Sequence, residues 1–180
     1  MSGRLISNLR GRALMAVSWL ACRLPEGPLF RAAELAGDPW YRVAPDRAAQ
    51  ARRNLRRVCE SLAASGRGTP TIRAAATDPI ALERLVRSAF RHNARYYLEV
   101  ARTPRVTLPW MDERLALDTP ELIAEAVQPG KASLFVGLHF GSVELPVLLL
   151  AFRIGRTVTP METIDDPGLQ AWFERTRGVS

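Results

Sequence analysis

Cysteine, histidine and lysine are scarce in this chain of 180 residues: two Cys, two His, and Lys131 as the only lysine. Cys22 and Cys59 have neither metal-ligand spacing nor the pattern of a disulfide framework. They read as small buried apolar residues of a reducing compartment. Two histidines without a cluster of Cys or carboxylates give no metal centre, so no metal and no tightly held cofactor are expected. Long apolar runs are missing too. Ala13 to Cys22 is ten residues, against the roughly 20 that a spanning helix needs. Internal repeats and low-complexity tracts are absent. The remaining composition, 47% hydrophobic and 24% charged, is that of a globular domain with chain enough for a core.

What the chain has in excess is arginine, and its placement is one-sided. Residues 1–57 carry eleven Arg against four acids, a net +7, whereas the fourteen basic and fourteen acidic groups of 58–180 cancel. A basic third predicts an anionic partner, a phospholipid surface or nucleic acid. Nucleic acid is the less expected of the two. The Arg-rich stretch lacks interleaved aromatics, and no nucleic-acid motif is present.

Within residues 4–24, Arg4, Arg10, Arg12 and Arg23 alternate with Leu5, Leu9, Leu14, Val17, Trp19 and Leu20. Three readings stand: an amphipathic helix in a membrane interface, a core helix, or a signal peptide, since Trp19-Leu-Ala-Cys22 resembles a lipoprotein cleavage site. A short helix over 28–36 and a turn at Gly37-Asp38-Pro39 come next. Asp46 is expected to cap a helix to about Ser65 with an apolar line Ala51, Leu55, Val58 and Leu62; Arg52, Arg53, Arg56 and Arg57 fall mostly on its other side. Asp78-Pro79 opens a helix to about Arg102, with Leu82, Leu85, Val86, Ala89, Phe90, Tyr97 and Val100 inward. His92 and Glu99 share a face of it and form a possible second dyad, or simply a structural histidine; Tyr96 and Tyr97 suit an acyl groove or ordinary packing.

The centre of the chain is 131–146, Lys-Ala-Ser-Leu-Phe-Val-Gly-Leu-His-Phe-Gly-Ser-Val-Glu-Leu-Pro. Ala132 to Leu138 is an apolar run after the turn pair Pro129-Gly130, and reads as a buried strand. From Val143 to Ile154 the pattern is helical, with Pro146 tolerated in the first turn. His139 thus falls at a strand-to-helix corner. On one continuous helix His139 and Glu144 would diverge by about 140°. With His139 on the turn and Glu144 in the first helical turn, both reach one pocket. A carboxylate against one imidazole nitrogen fixes the tautomer and raises the basicity of the other, which suits His139 as a general base toward a hydroxyl. Helix N-terminal N–H groups at Gly141 and Ser142 would receive an oxyanion or phosphate. The same spacing also suits a structural histidine.

His139-Phe-Gly-Ser-Val-Glu144 is similar to the His-x4-Glu/Asp motif of the membrane acyltransferases, nearest to the branch of lipid A lauroyl and phosphatidylinositol mannoside acyltransferases. The likeness includes the apolar stretch before the motif, Arg-Arg-Asn-Leu-Arg-Arg at 52–57 and the Tyr-rich helix near 96; the family's usual Asn-Trp is Ser142-Val143 here. It covers most of this chain and about the N-terminal two-thirds of a family member. The resemblance implies an O-acyltransferase at the cytoplasmic face of the cell membrane, peripheral or monotopic. His139 and Glu144 would be its catalytic pair. Acyl-CoA or acyl-carrier protein would be the thioester donor, and a hydroxyl of a phosphoglycolipid, such as a phosphatidylinositol mannoside or lipid A-type precursor, the acceptor. The Arg that the family carries at the end of the helix after its second strand corresponds to Arg177, or alternatively Arg175, where a guanidinium would bind phosphate. A surface Arg near a helix end is the other reading of that position.

Strands are expected at 114–117, 132–138 and 157–164, with helices over 120–127, 143–154 and 168–176 between and after them. The expected fold class is α/β: a single domain over 1–180, with a helical N-terminal layer in 1–105 packed on a mostly parallel sheet begun in 106–180. Three strands are few for such a sheet, so the reading expects a truncated domain. An inactive lipid-binding protein at a membrane surface is the alternative function.

Overall fold

The computed structural model describes residues 2–128, 132–137, 141–154, 157–159 and 162–177. These residues form two compact units, one of 24–98 and one of 1–23 with 99–180.

The 24–98 unit is built on α2 (Glu26–Val43), α3 (Pro45–Ala64), α4 (Pro70–Thr77) and most of α5 (Pro79–Ala101). Helix starts follow local chemistry. The Asp78 carboxylate accepts the Ile80 and Ala81 N–H groups at 2.8 and 3.2 Å, and Pro79 takes the first helical position, as expected from the sequence. Thr69 caps α4 through the Ile72 N–H; that helix was not anticipated. For α3 the cap is Ala44 and Pro45 begins the helix, so Asp46 lies in the first turn, where an acid still complements the helix dipole.

Two apolar clusters run along α3 and α5. Ala48, Val86 and Phe90 form one, with Trp40, Tyr41 and Leu55 against it. Cys59, Ala75 and Leu82 form the other. The inward line of α3 is Ala48, Ala51, Leu55, Cys59 and Leu62, so Val58, expected on it, is exposed. Leu82, Val86, Phe90 and Val100 of α5 are buried as their spacing predicts, whereas Tyr97 is exposed.

The expected turn at Gly37-Asp38-Pro39 is instead the interior of α2, which runs through Pro39. The reason is tertiary. A Cβ on Gly37 would lie 2.5 Å from the Cα of Arg91, so α2 and α5 meet there backbone to backbone. Asp38 accepts from the Arg91 guanidinium at 3.0 and 2.6 Å, and Trp40 and Tyr41 set their rings edge-on to Phe90 at 5.4 and 5.6 Å. This docking offsets the cost of a proline inside the helix.

The other unit contains α1 (Ser2–Ala21), a 3-10 turn at Thr103–Arg105, α6 (Leu108–Arg114), α7 (Pro120–Ala126), α8 (Glu144–Ile154) and α9 (Pro167–Arg177). Met111, Leu148 and Leu149 are its apolar centre, enclosed by Trp110, Leu115, Leu145 and Phe152. Asp166 caps α9, accepting from the Gly168 and Leu169 N–H groups. Arg102 and Arg105 donate to the Ala21 and Cys22 carbonyls, satisfying acceptors that the end of α1 leaves open.

No strand occurs among the described residues. The α/β expectation is therefore corrected to an all-helical fold. Residues 115–117, 132–137 and 157–159 carry no secondary structure, and Arg114 ends a helix instead of beginning a strand. Leu134 and Val136, expected to be buried in a sheet, are 90% and 87% exposed. An apolar run is a strand only when a second segment accepts its backbone hydrogen bonds. Leu138 and residues 160–161 lie outside the described residues.

Candidate functional site

Gly141 is the structural punctuation of the motif. Its φ of +57° is a backbone conformation that glycine adopts without cost and other residues resist. A short turn follows, with the Val143 N–H bonded to the Gly141 carbonyl at 3.1 Å and the Leu145 N–H to the Ser142 carbonyl at 3.3 Å. Glu144 is then the first residue of α8, the position expected for it. Pro146 falls in the first turn, where its missing N–H has no intrahelical partner to lose.

The Glu144 side chain faces inward. The residue is 6% exposed, and Leu148 and Ala151, one and two turns on, are buried on the same line of α8. A carboxylate on a helix's packed face is uncommon, because an ionised group leaves water only when polar partners receive it. A helix N-terminus is the favourable end for it. Opposite Glu144 in sequence, His139 lies outside the described residues, and so does Phe140; the pairing of His139 with Glu144 has no geometry here.

The other candidates are dispersed. Gly141 is exposed and Ser142 half-buried, both in the turn ahead of α8. Arg175 is exposed on α9, and Arg177 is that helix's last residue. Of the second dyad, His92 is exposed and Glu99 half-buried on α5. Tyr97 lies against Trp40 and Tyr96, with ring centroids 5.8 and 5.6 Å apart, as ordinary packing would have it. No group of three or more His, Cys, Asp or Glu among the described residues is arranged to hold a metal ion.

Two charged clusters, both in the 24–98 unit, were not singled out from the sequence. In one, Glu83 accepts both Arg52 Nε at 2.7 Å and a terminal Arg52 nitrogen at 2.9 Å, and also the Tyr41 hydroxyl. The Arg52 bond, with Tyr41 after it, holds the Glu83 carboxyl down at about 2 against its own partial burial. Glu83 in turn pushes Arg52 upward. In the other, Arg91 holds the Asp38 carboxyl below the usual range, and Arg95 pairs with Glu34 at 3.0 Å. These pairs tie α3 and α2 to α5, each acid meeting an Arg of another helix within hydrogen-bond distance, which marks them as fold-holding. Their only sequence signal was an excess of Arg, which has no directional content.

No protein family, curated protein or solved structure matches this chain.

Proposed function

We propose that the chain is a membrane-associated O-acyltransferase that moves a fatty acyl group from acyl-CoA or acyl-carrier protein to a hydroxyl of a phosphoglycolipid, at the cytoplasmic face of the membrane. The observation that carries the reading is Glu144: a carboxylate buried at the head of an apolar helix, five residues after His139 and just behind the Gly141 turn. A side chain so enclosed has a fixed direction, which is what an orienting partner for a histidine needs.

In the proposed reaction Glu144 holds one imidazole nitrogen of His139 and the other takes the acceptor hydroxyl proton. The hydroxyl oxygen attacks the thioester carbonyl, the carbon–sulfur bond breaks, and the departing thiolate takes the proton from His139. An ester and a free thiol result, with no covalent enzyme intermediate. Gly141 and Ser142 backbone N–H groups would face the developing oxyanion, and Arg175 or Arg177 the acceptor phosphate.

The test is transfer from radiolabelled palmitoyl-CoA to a panel of lysophospholipids and mannosylated inositol lipids. Acceptor-dependent product should fall about a hundredfold or more in His139→Ala, the usual contribution of a general base. Glu144→Gln should lose kcat more than KM, with helicity checked by circular dichroism. Equal product from wild type and His139→Ala would end the proposal, and label released as free fatty acid without acceptor would make the protein a thioester hydrolase instead.

A further inference from the structure

Over residues 11–21, helix α1 hides its small side chains. An ordinary surface helix sets its large apolar side chains inward. In this stretch the inward positions are Gly11, Ser18 and Ala21, all buried, with Leu14 half-buried. Gly11 and Ser18 meet polar or backbone groups. Ser18 Oγ donates to the Ala101 carbonyl at 2.7 Å, and a Cβ on Gly11 would come within 3.0 Å of Asp166 Oδ1. Leu14 apart, the large apolar residues of this stretch point the other way: Val17, Trp19 and Leu20 are 51%, 58% and 51% exposed, and Met15 is exposed with them.

At about 100° per residue, Met15 and Trp19 fall on one side and Leu20 and Val17 on the other of an exposed arc about 200° wide, with Arg12 between them; Arg23 follows in the turn after Ala21. The Arg23 guanidinium lies over the Trp19 ring, 3.7 Å from its centroid. A Trp with its apolar body outward and a cation on its face suits a boundary between hydrocarbon and charge.

We propose that α1 is the element by which this protein docks on an anionic phospholipid bilayer. It lies in the interface plane, with Val17, Trp19 and Leu20 in the acyl boundary and Arg12 and Arg23 on lipid phosphates. This rests on the membrane location proposed above and names the surface that achieves it. Two observations select a bilayer as the occupant. Residues 1–23 carry four Arg and no acidic residue, complementary to anionic headgroups. Arg12 lies within the exposed arc and Arg23 over Trp19; an apolar protein surface would strand them, whereas headgroup phosphates lie at the depth a snorkelling Arg reaches. No helix among the described residues is long and apolar enough to cross a membrane, so α1, with Arg10 and Arg12 within its 20 residues, meets a bilayer by lying along it.

The test is co-sedimentation of the full chain with vesicles of phosphatidylcholine mixed with phosphatidylglycerol, and with vesicles of phosphatidylcholine alone. Val17→Glu with Leu20→Glu should weaken binding to the mixed vesicles about a hundredfold, since two side chains that entered the acyl boundary become charges. Val58→Glu with Ile80→Glu makes the same charge change at exposed apolar positions elsewhere and should leave most of the binding in place. Vesicle binding equal in the two double variants would overturn the proposal. So would loss of a dimer, with vesicle binding intact, in the α1 variant: the occupant would then be a second copy. Acyl transfer to a water-soluble short-chain acceptor separates the two proposals. Binding that depends on α1 without any transfer removes the enzyme reading alone. Transfer by a protein whose vesicle binding ignores α1 removes the docking surface alone.

Discussion

Glu83 is the residue at which charge and packing are most tightly joined. Its carboxylate receives a forked Arg52 guanidinium and a Tyr41 hydroxyl, a geometry stronger than single-point ion pairs. Because its carboxyl is held down from 4.5 to about 2, it favours the folded chain. That stabilisation is fully present above the ordinary value, and disappears as pH falls from 4.5 to about 2. With the pair partly screened by solvent, Glu83→Gln should lower stability by about 1–2 kcal/mol at neutral pH. The gap from wild type should close across that acid window in urea titrations at stepped pH. At Gly37 the constraint is steric. Gly37→Ala puts a methyl into the Arg91 backbone and should cost about 3 kcal/mol, the upper end of overpacking. Gly27, in the same helix, has nothing within 4 Å of its would-be Cβ, so Gly27→Ala should gain up to about 1 kcal/mol. Thermal denaturation of the two variants checks both. Gly37 illustrates what the sequence hid: Gly-Asp-Pro spells a turn by local preference, and only the approach of α5 makes it helix.

At the scale of elements, helices whose first turn carries its own chemistry were legible. Asp78-Pro79, Asp118-Thr-Pro120 and Asp165-Asp166-Pro167 announced α5, α7 and α9, and the residues after Ser142 announced α8; at α7 the cap position falls on Thr119, whose side chain accepts no capping hydrogen bond. Asp78→Ala should destabilise the 24–98 unit by about 1 kcal/mol, read as reduced amide protection along α5. Thr69-Pro70 and Thr107-Leu-Pro109 carry the same signal for α4 and α6, but each follows a run of loop-forming residues, Ser65-Gly-Arg-Gly and Thr103-Pro-Arg, that favours a connection over a helix start. Extended segments were a different matter. Residues 132–137 have a strand's composition but no strand partner among the described residues. With Leu134, Phe135 and Val136 exposed, brief chymotrypsin treatment should cut there before any helix; a first cut elsewhere would mean that the segment is covered in solution. The candidate site divides along the same line. α8 starts in the turn where the pattern after Ser142 predicts it, the strand expected ahead of it does not occur among the described residues, and the burial of Glu144 is a feature that spacing alone does not reveal.

For the whole molecule, the leading fact is charge asymmetry combined with an outward apolar helix. Attraction between the four Arg of residues 1–23 and anionic lipid is screened by salt, with a Debye length of about 10 Å at 0.1 M and about 3 Å at 1 M. Vesicle binding by the wild type should therefore weaken about tenfold or more across that range, without vanishing, because the apolar contribution of α1 is not screened. Complete loss of binding in salt would assign it to charge alone.

By itself the sequence determined the beginnings of most helices, the inward line of α5, the burial of Cys59, the location of the positive charge, and the five-residue separation of His139 from Glu144. All of these depend on groups within about a turn of one another, or on a simple count along the chain. Tertiary structure alone decided that α2 continues through Gly37-Asp38-Pro39, that Val58 faces out and Cys59 in, that 132–137 has no strand partner among the described residues, and that α1 turns Trp19 and Leu20 outward. Each of these depends on a neighbour supplied from far along the chain. A cap is complete within four residues, but a strand, a close backbone approach and the choice of a helix's hidden face need a second segment.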